Sequence, residues 1–252
     1  MCYNTLTLCF DQSSKLFIIL MAIISGRTSF GASAESGVIS EREDFTTRFS
    51  RNAQYLSGMI IMPIFCLFFH VRIRGAENLA EMKKPFIIIS NHISFYDSFF
   101  FRLVSPYSQL PLRFMAVDIF AWPFLNFLRA LGVIKFVYSL FGVFTIIPGK
   151  GLNANLAKAK EIIHSGGVVV IYPEGRINPC CEVGPFKKGA AALAQRTGAS
   201  ILPVAFKSFP ATWFRRQVVI SIGKPVSVSL NVSHVNATAM LRKKVMELFD
   251  EA

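Results

Sequence analysis

The stretch Phe86-Ile87-Ile88-Ile89-Ser90-Asn91-His92-Ile93-Ser94-Phe95-Tyr96-Asp97-Ser98-Phe99-Phe100-Phe101 decides how this chain folds. Phe86 to Ser90 is a short apolar run that reads as a buried strand. Ser98 to Phe101 is apolar again and continues as a helix. Between the two runs, a histidine and an aspartate stand five positions apart. Five residues sweep about 500° on an ideal helix, so the pair would not share a helical face. They meet only if the backbone turns between them, and a strand-to-helix junction supplies that turn. His92 and Asp97 then form a base and the group that orients it, at the carboxyl end of a strand, where sites of open α/β sheets lie.

Outward from this junction the same grammar repeats. Leu112 to Val117 and Phe144 to Ile147 read as strands, the second ended by Pro148-Gly149. Leu152, Leu156, Ala159 and Ile163 keep helical spacing, and Gly166-Gly167 stops that helix. Val168 to Tyr172 suits a parallel strand buried on both faces. Ala190, Leu193, Ala194 and Thr197 trace a helix face, and Leu241, Val245, Leu248 and Phe249 define a C-terminal helix. Ile201 to Phe206 and Val218 to Ile222 are strands. Upstream, Val71 to Gly75 alternates as a short strand, and Glu77 to Lys84 is a polar connection. Helices alternating with strands predict an α/β fold, with a central, largely parallel sheet flanked by helices.

Three regions follow. Residues 1–40 are an N-terminal extension that reads as an anchor, a signal-like segment or a disordered one. Lys15 precedes the apolar run Leu16 to Ile24, Ala32-Ser33-Ala34 resembles a cleavage site, and Met21 offers a second start. Residues 41–71 are a membrane-associated helical segment. Leu56 to Val71 is apolar apart from Ser57 and His70, is interrupted by Pro63, and is too short to span a bilayer comfortably. A buried core helix is the plainer alternative. Residues 72–252 carry the chemistry. Within them, residues 119–143 are apolar with isolated charges, and Trp122-Pro123 marks the start of one or two interfacial helices.

Composition points the same way. Of 252 residues, 52% are hydrophobic and only 17% charged, with 25 phenylalanines. The net charge is +12, the pI near 9.7 and the mean hydropathy +0.45. A greasy, basic chain suits an anionic lipid surface better than nucleic acid, and no nucleic-acid motif is present. The five cysteines, two of them the adjacent Cys180 and Cys181, have no metal-ligand spacing. A disulfide framework is not expected, and a reducing compartment is the default.

Three further stretches bear on chemistry. In Tyr172-Pro173-Glu174-Gly175-Arg176, again directly after a buried strand, Arg176 has the fork to hold a phosphate. Glu174 accepts from a hydroxyl or holds a basic residue, and Gly175 permits close backbone approach; a turn with a surface ion pair is the alternative. Phe186-Lys187-Lys188-Gly189-Ala190 opens a helix, where Lys187 and Lys188 beside its N-terminus suit an anion. Solvated lysines are the alternative there. Ile201-Leu202-Pro203-Val204 carries no reactive side chain and says only strand.

Together, in this order, the four segments resemble the glycerolipid acyltransferase family, which includes the lysophosphatidic acid acyltransferases. Asn91, His92 and Asp97 match its first motif, Asn-His followed by four residues and Asp. Pro173, Glu174 and Gly175 match its Pro-Glu-Gly element, and Phe186-Lys187-Lys188-Gly189 and the late Pro203-Val204 strand also match. The resemblance covers roughly residues 70–225 and implies that 72–252 is an acyltransferase domain. It implies His92 and Asp97 as catalytic, and Asn91, Glu174, Gly175, Arg176, Lys187 and Lys188 around the substrate. One motif departs. Gly142 to Ile147 fits the family's second strand, but Pro148 stands where an arginine for the acceptor's phosphate is expected; either Lys150, two residues on, replaces the lost charge or the acceptor is not a simple phosphate monoester. The expected reaction moves an acyl group from a thioester, acyl-CoA or acyl carrier protein, to a lysolipid hydroxyl, foremost that of 1-acylglycerol 3-phosphate. Membrane lipids are then partners, no metal or redox cofactor is implied, and the site faces the cytoplasmic side of the membrane.

Overall fold

The computed structural model describes residues 45–117, 123–147, 149–179, 182–210 and 215–252. All lie in one unit, Glu43–Ala252. The expectations for residues 1–40, and the position of Pro148, lie outside the described residues.

The chain opens with α1 (Phe45–Phe68), then β1 (Phe69–Arg74), the short α2 (Ala76–Ala80), β2 (Phe86–Ser90), α3 (Asp97–Val104) and β3 (Leu112–Val117). Two short helices follow, α4 (Pro123–Ala130) and α5 (Val133–Leu140), then β4 (Val143–Ile146), α6 (Gly151–His164) and β5 (Val168–Ile171). After the loop that carries Glu174 come α7 (Gly189–Thr197), β6 (Ser200–Ser208), β7 (Arg216–Ile222) and α8 (His234–Asp250).

The strands form one seven-stranded sheet in the order β1-β7-β6-β2-β5-β3-β4. Only the β6–β7 pairing is antiparallel among the described strands. β2 sits at the centre, flanked by β5 and β6, and every one of its residues is buried. Helices on both faces leave no polar side to a central parallel strand, which is why Phe86–Ile89 and Val168–Ile171 read as unbroken apolar runs. Alternate residues serve opposite cores. Ile87, Ile89, Val169 and Ile171 pack with the apolar faces of α6, α7 and α8. Phe86, Ile88, Val168 and Val170 pack with Phe100 and Phe101 of α3.

α1 differs from its sequence expectation. It runs unbroken through Pro63, although a proline removes one backbone hydrogen bond and crowds the preceding turn. Packing on either side of Pro63 compensates: Tyr55 and Phe65 both lie against the core formed around α3. Gln54 anchors the same helix to the sheet. Its amide donates to Leu112 O (2.8 Å) and Phe141 O (3.1 Å) and accepts from Leu112 N (2.9 Å). Gly142, at φ +68°, makes that approach feasible, because a Cβ there would stand 2.6 Å from the Gln54 amide nitrogen. No helix among the described residues is long and apolar enough to cross a membrane.

Candidate active site

β2 and β5 run parallel and end side by side, with Ile89 opposite Ile171. The chain leaving β2 carries residues 91–97, and the chain leaving β5 carries residues 172–178. The site is the meeting of these two loops.

Asn91 comes first. It is fully buried, and its side-chain amide pairs with the backbone of Phe206, donating to the carbonyl and accepting from the N–H, both at 2.8 Å. It therefore prolongs the β2–β6 ladder by one side chain and sets where His92 emerges. Its amide oxygen and one of its two N–H donors are thereby engaged with β6.

His92 Nδ1 lies 2.8 Å from Asp97 Oδ2. The same oxygen accepts the N–H groups of Ile93 (2.8 Å) and Ser94 (3.0 Å), and Oδ1 accepts the Ser94 hydroxyl at 2.7 Å. Asp97 is 0% exposed, yet its two oxygens take four donors, which is what a buried carboxylate requires to remain charged. It is also the first residue of α3, where the positive end of the helix dipole favours an anion. The Ser94 hydroxyl also accepts the Tyr96 N–H at 3.2 Å, so Ser94 and Asp97 tie together the turn that leads into the helix. The turn needed to bring His92 and Asp97 together is thus the start of a helix. With Nδ1 engaged, Nε2 is the ring nitrogen left for a substrate.

The second loop grips the first. Glu174 Oε1 accepts the His92 N–H at 3.3 Å, and Asn178 N–H donates to His92 O at 2.6 Å. Glu174 is 6% exposed, and burial pushes its carboxyl above the usual range, against lowering contributions from the His92 N–H, the Asn178 side chain and Gly184. It sits beneath the His92 loop. Gly175 has φ +67°, and Lys187 lies across it: a Cβ at 175 would stand 2.5 Å from Lys187 Nζ. The Lys187 N–H donates to Pro173 O at 2.8 Å, tying the start of α7 to the same loop.

Arg176 and Lys188 are exposed on these segments. Lys150 is exposed at the start of α6, and its backbone N–H donates to Ile147 O at 3.3 Å. The structure thus draws Asn91, His92, Asp97, Glu174, Gly175 and Lys187 into one connected group. Arg176, Lys188 and Lys150 present their charges at the surface.

Sequence reasoning did not single out two contributors. Ser94 gives both its backbone N–H and its hydroxyl to the Asp97 carboxylate, a role that its place in the turn alone does not announce. Tyr172 stacks on the His92 ring, with centroids 4.0 Å apart and planes 15° from parallel, and no local pattern announces a contact between residues so distant in sequence. Nearby, Arg102 is buried among Phe99, Phe114 and Phe141, its guanidinium 5.2, 5.0 and 4.7 Å from their ring centres. Burial pulls its pKa down to about 10.

A histidine with a buried carboxylate behind it, at strand ends of a largely parallel sheet, defines a class of acid–base site. The chain belongs to the acyltransferase family: the family model described as Acyltransferase matches residues 70–207. It is similar to a 1-acyl-sn-glycerol-3-phosphate acyltransferase of Pseudomonas aeruginosa, 32% identical over 53% of this chain and 48% of that protein. It is also similar to the human 1-acyl-sn-glycerol-3-phosphate acyltransferase beta, 27% identical over 86% of this chain and 67% of that protein. Several such relatives are matched over about half their length or less. The fold resembles the crystal structure of the 1-acyl-sn-glycerophosphate acyltransferase PlsC from Thermotoga maritima, with a TM-score of 0.61 and 20% identity over 85% of this chain and 84% of that one.

Proposed function

We propose that this protein transfers a fatty acyl group from a thioester, acyl-CoA or acyl carrier protein, to the free hydroxyl of a lysophospholipid. The preferred acceptor is 1-acylglycerol 3-phosphate, giving phosphatidic acid. The observation that carries this is the 2.8 Å pairing of His92 Nδ1 with a fully buried Asp97. The names of the similar proteins support the choice of acceptor.

In this mechanism, His92 Nε2 takes the proton of the acceptor hydroxyl as its oxygen attacks the thioester carbonyl. Asp97 holds the ring tautomer and stabilises the imidazolium. The tetrahedral intermediate collapses with loss of the thiolate, a good leaving group because thiols have pKa about 8.5, and the imidazolium returns the proton to it. The acceptor hydroxyl takes the place of an enzyme nucleophile, so no acyl-enzyme forms. A hydrolase would need such a nucleophile. Ser94 is unsuited to it, since its hydroxyl donates to Asp97 Oδ1 rather than to His92.

Arg176, Lys187, Lys188 and Lys150 supply the positive charge for the acceptor's phosphate and for an acidic donor. A second acceptor class stays open on one observation: Pro148 replaces the second-motif arginine. Another lysolipid, glycerol 3-phosphate or an amino-lipid would then be the acceptor. The enzyme works at a membrane surface, with its site on the cytoplasmic side. Exposed apolar residues on α1 (Leu56, Ile60, Leu67) and on α4–α5 (Phe127, Leu131, Phe136) support this, as does the net charge of +12. A panel of these acceptors, assayed with acyl-CoA and acyl carrier protein donors, tests it. Preference for 1-acylglycerol 3-phosphate is the expected result; release of free fatty acid without acceptor, or turnover confined to another acceptor, would overturn it.

A further inference from the structure

The single hydrogen bond from Nδ1 to Asp97 fixes one direction of the His92 ring but leaves the ring able to swing about that bond. Something else must set the plane in which Nε2 points. Tyr172, the first residue after β5, lies face to face with the imidazole at 4.0 Å and 15°. That separation is contact distance for two flat rings and blocks rotation on one side. Tyr172 is itself held at two points. Its hydroxyl is 3.1 Å from Ser98 Oγ on α3, and its ring lies 6.3 Å from that of Phe101, centre to centre. β5, through Tyr172, and the start of α3, through Asp97, thus hold the His92 ring from two elements. The hydroxyl is turned to Ser98 and is kept neutral by burial and by the charge of Asp97, so it does not compete with His92 for the proton.

We propose that Tyr172 is a positioning residue for His92: its ring fixes the imidazole plane so that Nε2 meets the acceptor hydroxyl, and its π face steadies the imidazolium formed on proton transfer. This rests on His92 being the base, and the experiment separates the two claims.

Tyr172→Phe, Tyr172→Leu and His92→Ala are compared with the unmutated enzyme for kcat and for KM of both substrates. Tyr172→Phe keeps the stack and is expected within about threefold of wild type, while Tyr172→Leu loses about tenfold or more in kcat with both KM values within about threefold. An unchanged kcat in Tyr172→Leu, or a loss confined to KM, overturns the proposal provided His92→Ala is inactive. An active His92→Ala overturns the base assignment itself. A measurement on the unmutated protein guards against a leucine variant that fails to fold. Ring current from a stacked tyrosine must move the His92 ring-proton NMR signals upfield of those of His70, His164 and His234. Signals at the ordinary histidine position would contradict the stack.

Discussion

Asp97 Oδ2 accepts from His92 Nδ1 at 2.8 Å while also accepting the Ile93 and Ser94 backbone N–H groups. One oxygen therefore holds the His92 ring and ties down the turn that precedes the helix. Asp97→Asn is expected to strain both tasks, because an amide presents a donor where only acceptors fit. If the amide nitrogen takes the Oδ2 position, it opposes both backbone N–H groups and leaves His92 with the wrong tautomer; if the oxygen stays there, the negative charge that stabilises the imidazolium is still lost. Turnover should fall by about a hundredfold to ten-thousandfold. Stability should fall by about 1–3 kcal/mol. Steady-state kinetics and urea denaturation of the variant check the two effects separately.

Glu174 allows a sharper distinction. Glu174→Gln keeps an oxygen for the His92 N–H, whereas Glu174→Ala removes it. If Glu174 acts by holding the loop, the glutamine variant retains most of the turnover and the alanine variant loses about tenfold or more. Equal loss in both would mean that the negative charge itself is required.

The same residue predicts a pH effect on stability. Its folded-state pKa is raised, with burial as the main cause. The folded protein therefore holds this proton more tightly than the unfolded chain. Its contribution is fully present below the unfolded value of about 4.3, and is lost as pH rises through the raised folded value. In urea titrations across that window, wild type should lose stability with rising pH relative to Glu174→Gln. Parallel curves for the two proteins would contradict the assignment.

Much of this was legible in the sequence, for a physical reason. β2 and β5 are buried on both faces, so their residues could only be a continuous apolar run, and α6 shows its buried Leu156, Ala159 and Ile163 at helical spacing. Other features depend on contacts between distant segments. The antiparallel β6–β7 pairing is set by how the chain returns after Ser208. The pairing of Asn91 with Phe206 spans 115 residues, and nothing near Asn91 announces it. Tyr172 looked like the last residue of a strand. Pro63 read as a helix break because local propensity cannot weigh the packing of Tyr55 and Phe65.

Gly175 couples a loop to a charge. Substituting alanine would strain a residue at φ +67° and push Lys187 aside. Gly175→Ala is expected to raise acceptor KM along with Lys187→Ala, Arg176→Ala and Lys150→Ala, by about threefold to thirtyfold each if these charges hold a phosphate. Unchanged acceptor KM in all three charge variants would exclude them from phosphate binding.

The exposed residues of α4–α5 test membrane docking apart from chemistry. Replacing Leu131 and Phe136 with serine should lower co-sedimentation with anionic vesicles by about tenfold. Turnover of a water-soluble short-chain acceptor should stay near wild type. Loss of both, without loss of fold, would point to a structural role for these helices instead.

The central claim is that His92 is the base for the acceptor hydroxyl. Its most direct measurement is acyl transfer by His92→Ala, purified and shown to be folded, from a labelled thioester to 1-acylglycerol 3-phosphate. Transfer should drop by at least about a hundredfold while substrate binding persists. Retention of more than about a tenth of wild-type turnover would contradict the claim, because a lost general base costs at least about a hundredfold.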